Sequence, residues 1–192
     1  MMKHFIFLFL IVISRSKAEH RQLNSPGVPQ ARISEIKNYI KGKEYNQEMA
    51  VFINFKIPSG KYRYFIYNLK NNRIVQQAVV SHGSGSVIPK SDALKFSNTE
   101  GSYQSSLGKY AIGESYVGKF GKVYRLIGLD STNNNAMQRA IVLHSYGCVP
   151  DMESQTPVCL SLGCPMLSVN AFKETAKYID QSKKPMILYA FY

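Results

Sequence analysis

Tyr62-Arg63-Tyr64-Phe65-Ile66-Tyr67-Asn68-Leu69, residues 62–69, is a run of aromatic and branched side chains without helical spacing. Such runs favour the pleated, half-buried surface of a β-sheet. Working outward, Val51 to Phe55 and Ile74 to Val80 have the same character. Tyr110 to Ile112, Val123 to Leu129, Ala140 to His144 and Met186 to Phe191 repeat it, with Gly-, Asn- and Ser-rich turns between them. The chain is therefore mainly β. Two segments depart from this pattern. Ala31 to Tyr45 sets Ile33, Ile36, Tyr39 and Ile40 at helical spacing among polar residues, which predicts an N-terminal amphipathic helix. Ser168 is placed to cap a second helix with Val169, Phe172, Ala176 and Ile179 on one face, ending before Pro185.

The first residues predict a leader. Lys3 precedes nine unbroken apolar residues, Phe5 to Ile13, too few to span a bilayer and right for the apolar core of a secretory signal. Ser16-Lys17-Ala18 then offers small residues at both recognition positions of a cleavage site. The expected organisation is a signal peptide at 1–18, a linker and helix at 19–48, and a catalytic domain at 49–192. The expected location is the periplasm or cell envelope, with no stable membrane span after cleavage. The remaining ~170 residues suffice for one domain with a sizeable core.

Loss of Lys3, Arg15 and Lys17 would lower the formal charge from +12 to +9. A basic surface favours acidic polymers such as nucleic acid, anionic lipid or cell-wall glycopeptide. Export argues for the wall, and no basic run interleaved with aromatics argues for nucleic acid. The sequence does not specify an oligomeric state.

His144 stands twenty residues ahead of Cys164, which lies within Ser161-Leu162-Gly163-Cys164-Pro165. A thiol becomes a useful nucleophile when an imidazole or backbone N–H groups favour its anion, and glycine lets a carbonyl oxygen approach those donors. Cys164 and His144 are thus candidates for nucleophile and base, and a thiolate–imidazolium ion pair could persist near neutral pH. The N–H groups of Gly163 and Cys164, with Leu162, are candidate oxyanion donors. Ser161 would orient His144 or cap the turn.

The ordered segments Ser81-His82-Gly83-Ser84-Gly85-Ser86, Phe96-Ser97-Asn98, Gly118-Lys119-Phe120-Gly121, Arg139-Ala140-Ile141-Val142-Leu143-His144 and Ser161 to Pro165 resemble the murein L,D-transpeptidase catalytic family. The likeness is to the branch related to the standard YkuD domain, and it covers about half of the chain. It implies a mainly β fold, a β-sandwich or mixed sheet flanked by an N-terminal and a C-terminal helix. It also implies a cysteine that attacks a carbonyl of the peptidoglycan stem peptide, with neither metal nor organic cofactor. On this resemblance Cys164, His144, Ser161 and Gly163 form the catalytic set, and His82, Tyr146 and Arg139 are candidates for substrate binding. His82 would line the groove or satisfy a strand end.

The sequence departs from the standard pattern at two positions. Leu162 replaces a second histidine before the Gly-Cys pair, and Met166 stands where Asn or Arg is usual. The three cysteines add a further expectation. In an oxidising compartment, Cys148 pairing with Cys159 would leave Cys164 free. A competing zinc site from His144 and the three cysteines lacks the short C-x₂-C knuckle. Hydrolysis of the same thioester by water, or wall binding without catalysis, are the alternative functions. A papain-like protease would carry its histidine after the cysteine, the reverse of the order here.

Overall fold

The computed structural model describes residues 27–192, so the expected leader at 1–18 lies outside the described residues. Eight strands form one mixed sheet: β1 (Met49–Asn54), β2 (Tyr64–Asn68), β3 (Arg73–Ala78), β4 (Gly108–Gly118), β5 (Gly121–Gly128), β6 (Val142–Ser145), β7 (Met166–Leu167) and β8 (Ile187–Phe191). Their order across the sheet is β3-β2-β1-β8-β4-β5-β6-β7. The pairs β1/β8 and β6/β7 are parallel, and the other neighbours are antiparallel.

Alternation along the central strands sends side chains into two cores. Val51, Ile53, Tyr64, Ile66, Leu188 and Ala190 enter the first, while Ala50, Phe52, Phe65, Tyr67, Ile187 and Tyr189 enter the second. A sheet buried on both faces needs apolar residues at successive positions. This is why residues 62–69 show no clean alternation of polar and apolar residues.

Helix α1 (Gln30–Ile40) covers the second core with Ile33, Ile36 and Ile40. Burying each isoleucine contributes roughly 1.5–3 kcal/mol at most. Glu35 ties the helix to the sheet through the Tyr189 hydroxyl at 2.8 Å and Lys109 at 3.3 Å. The helix stops short of the expected Tyr45. Lys41 turns extended at ψ 123°, and Gly42 follows with φ +70°, a conformation that glycine adopts without the Cβ penalty.

Helix α2 (Val169–Asp180) packs on the first core. The Ser168 hydroxyl accepts from the Ala171 N–H at 3.0 Å, a conventional N-cap bond. Its buried face centres on Phe172 and Thr175, with Ala176 and Ile179 alongside. Val169, expected on that face, is exposed. It occupies the first turn, where the capping contact with Ser168 sets the entry of the chain. The two-residue strand β7 is too short to leave a periodic signal, yet it joins the nucleophile segment to the sheet edge.

Candidate active site

Strand β6 carries His144, and β7 follows directly on Cys164-Pro165. The parallel register pairs His144 with Met166. Val142, two residues before His144, donates its N–H to Cys164 Sγ at 3.4 Å. Base and nucleophile candidates therefore sit on neighbouring chains, offset by one side-chain repeat.

The His144 ring is buried, and Nδ1 lies 3.0 Å from the Ser145 carbonyl. A carbonyl only accepts, so Nδ1 carries the hydrogen and Nε2 holds the free lone pair. Phe120, at the tip of the β4–β5 hairpin, stacks on this ring with centroids 4.3 Å apart and planes inclined by 19°. Tyr146, largely exposed, meets Phe120 edge-on at 5.9 Å.

Burial lowers the His144 pKa below its ordinary value; Lys119 acts in the same direction, and the Ser145 hydrogen bond opposes them. Burial raises the Cys164 pKa, against the lowering effects of the Val142 N–H and Arg139. Both shifts favour neutral forms. Both shifts run against the thiolate–imidazolium pair that the sequence allows, because partial burial disfavours each charge.

The segment Ser161 to Met166, which carries Cys164, is held at both ends by residues 81–84. Ser161 N–H donates to the His82 carbonyl at 2.9 Å, and Ser84 N–H donates to the Ser161 carbonyl at 2.7 Å. At the other end, Ser81 N–H donates to the Met166 carbonyl at 3.0 Å, while Ser81 Oγ accepts from Met166 N–H at 3.1 Å. Ser105 Oγ accepts from Gly83 N–H and donates to the Gly163 carbonyl. The Gly/Ser-rich run that sequence leaves as a turn is a cradle for the Cys164 segment.

Ser161 caps the turn and makes no contact that orients His144. Its hydroxyl accepts from Gly163 N–H at 3.0 Å and donates to the Cys164 carbonyl at 2.6 Å. Gly163 N–H is thereby committed, which corrects its expected place among the oxyanion donors; the amides of Leu162 and Cys164 are the candidates. Gly163 has φ +121°. A Cβ there would lie 3.0 Å from the Gln104 carbonyl oxygen and 3.3 Å from Arg139 Nη2, so glycine is required by conformation and by crowding.

The candidate binding residues separate. His82 is buried rather than lining a groove, and its Nδ1 accepts from Arg63 Nη2 at 2.8 Å. Arg63 is buried as well and donates to the Val80 carbonyl through Nε at 2.9 Å and Nη2 at 2.7 Å. His82 thus helps fix the cradle. Arg139 borders a cleft of about 300 Å³, shared with Glu100, Tyr103, Gln138 and Leu162. Its terminal nitrogens, however, are bonded to protein acceptors. Met166 is buried beside Val79, Val149 and Val158, whereas Leu162 is exposed at the cleft.

Cys148 and Cys159 are joined with their Cα atoms 6.1 Å apart, and Cys164 is free. That bond removes two donors from the competing zinc arrangement. Phe120, Arg63 and Ser105 were missed as site-building residues. Only the turn glycines around Phe120 hinted that a side chain would be presented there.

Residues 21–191 match the family of the L,D-transpeptidase catalytic domain, YkuD_2. No curated protein matches the chain. Among solved structures, the helical cell shape determining protein Pgp2 from Campylobacter jejuni is similar at 15% identity and a TM-score of 0.48, over 74% of this chain and 47% of that one. An L,D-transpeptidase from Mycobacterium smegmatis is similar at 11% identity and a TM-score of 0.44, over 76% and 59% respectively. The chain thus spans less than two thirds of either protein. The family match takes in the cradle, the base strand and the nucleophile segment together, and the chain belongs to the L,D-transpeptidase catalytic domain family.

Proposed function

We propose that this chain is an exported L,D-transpeptidase that forms peptidoglycan cross-links through a thioester on Cys164. Its family membership and one geometric observation support the reading. Cys164 Sγ lies against the Val142 N–H, one repeat from a histidine whose Nδ1 is committed to a backbone carbonyl. We assign 1–18 as the leader, 19–48 as the linker and helix, and 49–192 as the catalytic part, working in the periplasm or cell envelope.

In the first half-reaction, His144 Nε2 takes the thiol proton as Sγ attacks the carbonyl of a stem-peptide diamino acid. The new C–S bond generates an oxyanion, met by the N–H groups of Leu162 and Cys164. One such donor is typically worth ~3–4 kcal/mol in acyl transfer. His144 returns the proton to the departing D-Ala amine as the C–N bond breaks, leaving a thioester. In the second half, a diamino-acid side-chain amine from a neighbouring stem attacks that carbonyl. Its proton passes to His144 and then to the released thiolate.

Incubation of the purified protein with tetrapeptide muropeptides, followed by mass analysis, tests the assignment. Dimers lacking one D-Ala are expected. Tripeptide monomers alone would identify a hydrolase, and unchanged muropeptides would favour a binding protein.

A further inference from the structure

Arg139 has a role that its position at the cleft conceals. Its Nη1 donates to the Ser97 carbonyl at 2.8 Å and to Ser106 Oγ at 2.6 Å. Its Nη2 donates to the Gln104 carbonyl at 2.5 Å and approaches Ser102 Oγ at 3.5 Å. The four hydrogens on the terminal nitrogens are thus directed into the 97–106 segment. A guanidinium bound to a substrate carboxylate needs a free pair of such donors, and this one has none.

All four partners are neutral. Among the described residues no carboxylate forms an ion pair with Arg139. The charge is partly buried and uncompensated, and it is close to the nucleophile. Nη2 would lie 3.3 Å from a Cβ placed on Gly163, the residue before Cys164. On the other side, Ala140 adopts φ +52° and presents its carbonyl to Cys164 Sγ at 3.8 Å. A non-glycine residue in that conformation is held by its surroundings, here by Arg139 before it and β6 after it.

The ionisable groups of this region come from three elements. Arg139 comes from the approach to β6, His144 from β6, and Tyr110 from β4. The Tyr110 hydroxyl donates to the Ser106 carbonyl, and burial pushes its pKa up to about 12, so it brings no charge. Burial lowers the His144 pKa, which disfavours a charge on its ring. Glu100, on the cleft wall, accepts from Gln138 Nε2 at 2.9 Å. Arg139 is the permanent cation of the group.

We propose that Arg139 is the cationic support of the Cys164 thiolate, held against Gly163 next to Cys164 by neutral acceptors so that its charge is spent neither on a counter-ion nor on the substrate. The proposal rests on Cys164 being the reacting thiol and makes Arg139 a positioning residue for charge. When the thiol proton leaves for His144, the sulfur anion forms near a fixed positive charge in a site of low polarity, where such a charge acts strongly.

The test is the pH dependence of Cys164 alkylation by iodoacetamide in the folded protein with its disulfide intact, a reading that needs no muropeptide. The rate should rise with the thiolate fraction between about pH 6 and pH 11. Arg139→Gln should move the midpoint upward and lower the rate below the midpoint by about 3–10-fold, a shift of roughly 0.5–1 pH unit. Arg139→Lys should keep the midpoint near that of the wild type. Ser102→Asp, which sets a carboxylate against the unaltered guanidinium, should reproduce the upward shift, and it serves as the test if Arg139→Gln does not fold. Changed limiting rates with an unmoved midpoint in Arg139→Gln or Ser102→Asp would reduce Arg139 to a bolt for the 97–106 segment and overturn the proposal. Failure of muropeptide turnover with these shifts intact would count against the transpeptidase assignment alone.

Discussion

Phe120 lies nearly flat on the imidazole of His144, with ring centroids 4.3 Å apart. The stack covers one face of the imidazole while the Ser145 carbonyl fixes its Nδ1. Two independent contacts therefore set the ring plane and the tautomer, and a β-hairpin far from Cys164 in sequence becomes part of the candidate site.

Opening that stack should change how the base titrates. Burial is the largest cause of the lowered His144 pKa, so the neutral, proton-accepting form persists to lower pH than for a solvated histidine. Phe120→Ala admits water, raises the pKa toward the ordinary ~6.5, and shifts the acidic limb of the acylation profile to higher pH. Carbapenem acylation, read by intact mass across pH, measures this because the strained lactam accepts the same thiolate attack. Phe120→Tyr should retain the wild-type limb. An unmoved limb in Phe120→Ala would show that the ring contributes only packing.

Ser161→Ala removes both the acceptor of Gly163 N–H and the donor to the Cys164 carbonyl. Loss of two hydrogen bonds costs about 1–3 kcal/mol. If that cost falls on the geometry of attack, carbapenem acylation slows about 10–100-fold with the fold retained. A wild-type rate in this variant would mean that the cradle of residues 81–84 holds the turn alone.

His82 gives the fold a sensitivity to acid. Burial, reinforced by the Arg63 charge, lowers its pKa to about 4, against ~6.5 in the unfolded chain. Below the unfolded value, the unfolded state takes up a proton that the folded state refuses. Stability from this residue is therefore complete above ~6.5, falls as the pH drops, and levels off below about 4. The loss amounts to about 3 kcal/mol. His144 adds a loss of the same sign. His82→Asn keeps an acceptor for Arg63 without a titrating ring, so its melting temperature should fall less than that of the wild type between neutral pH and pH ~4. Parallel curves would place the acid sensitivity elsewhere.

The strands were legible because their composition is dictated by two buried faces, as the predominantly apolar and aromatic runs at 51–55 and 62–69 show. His144 and Cys164 were legible as a pair of chemistries in order, and the two helices as spacings of isoleucine and phenylalanine. The roles of Arg139 and His82 were not. Both look like surface polar residues in sequence, and only the long-range packing of segments 97–106 and 57–63 decides that their donors and acceptors are consumed internally. Phe120 escaped for the related reason that stacking between a hairpin tip and a strand leaves no periodic trace.

The bond between Cys148 and Cys159 closes a loop between base and nucleophile. On the chain-entropy view, a crosslink of this span contributes about 3 kcal/mol. Reduction should lower the melting temperature while leaving Cys164 able to form the carbapenem adduct. Non-reducing peptide mapping should recover Cys148 linked to Cys159. Recovery of Cys164 within the dominant disulfide would contradict the assignment of the free thiol.

The most direct measurement is the mass of the acyl-enzyme itself. Rapid acid quench of the protein with a tetrapeptide muropeptide should reveal an adduct equal to the donor less D-Ala, labile to hydroxylamine and mapped to Cys164. Cys164→Ala should show none, and His144→Gln should form it about 10²–10⁴-fold more slowly. An adduct of the same mass that persists in Cys164→Ala, or turnover of the muropeptide by that variant, would contradict the account.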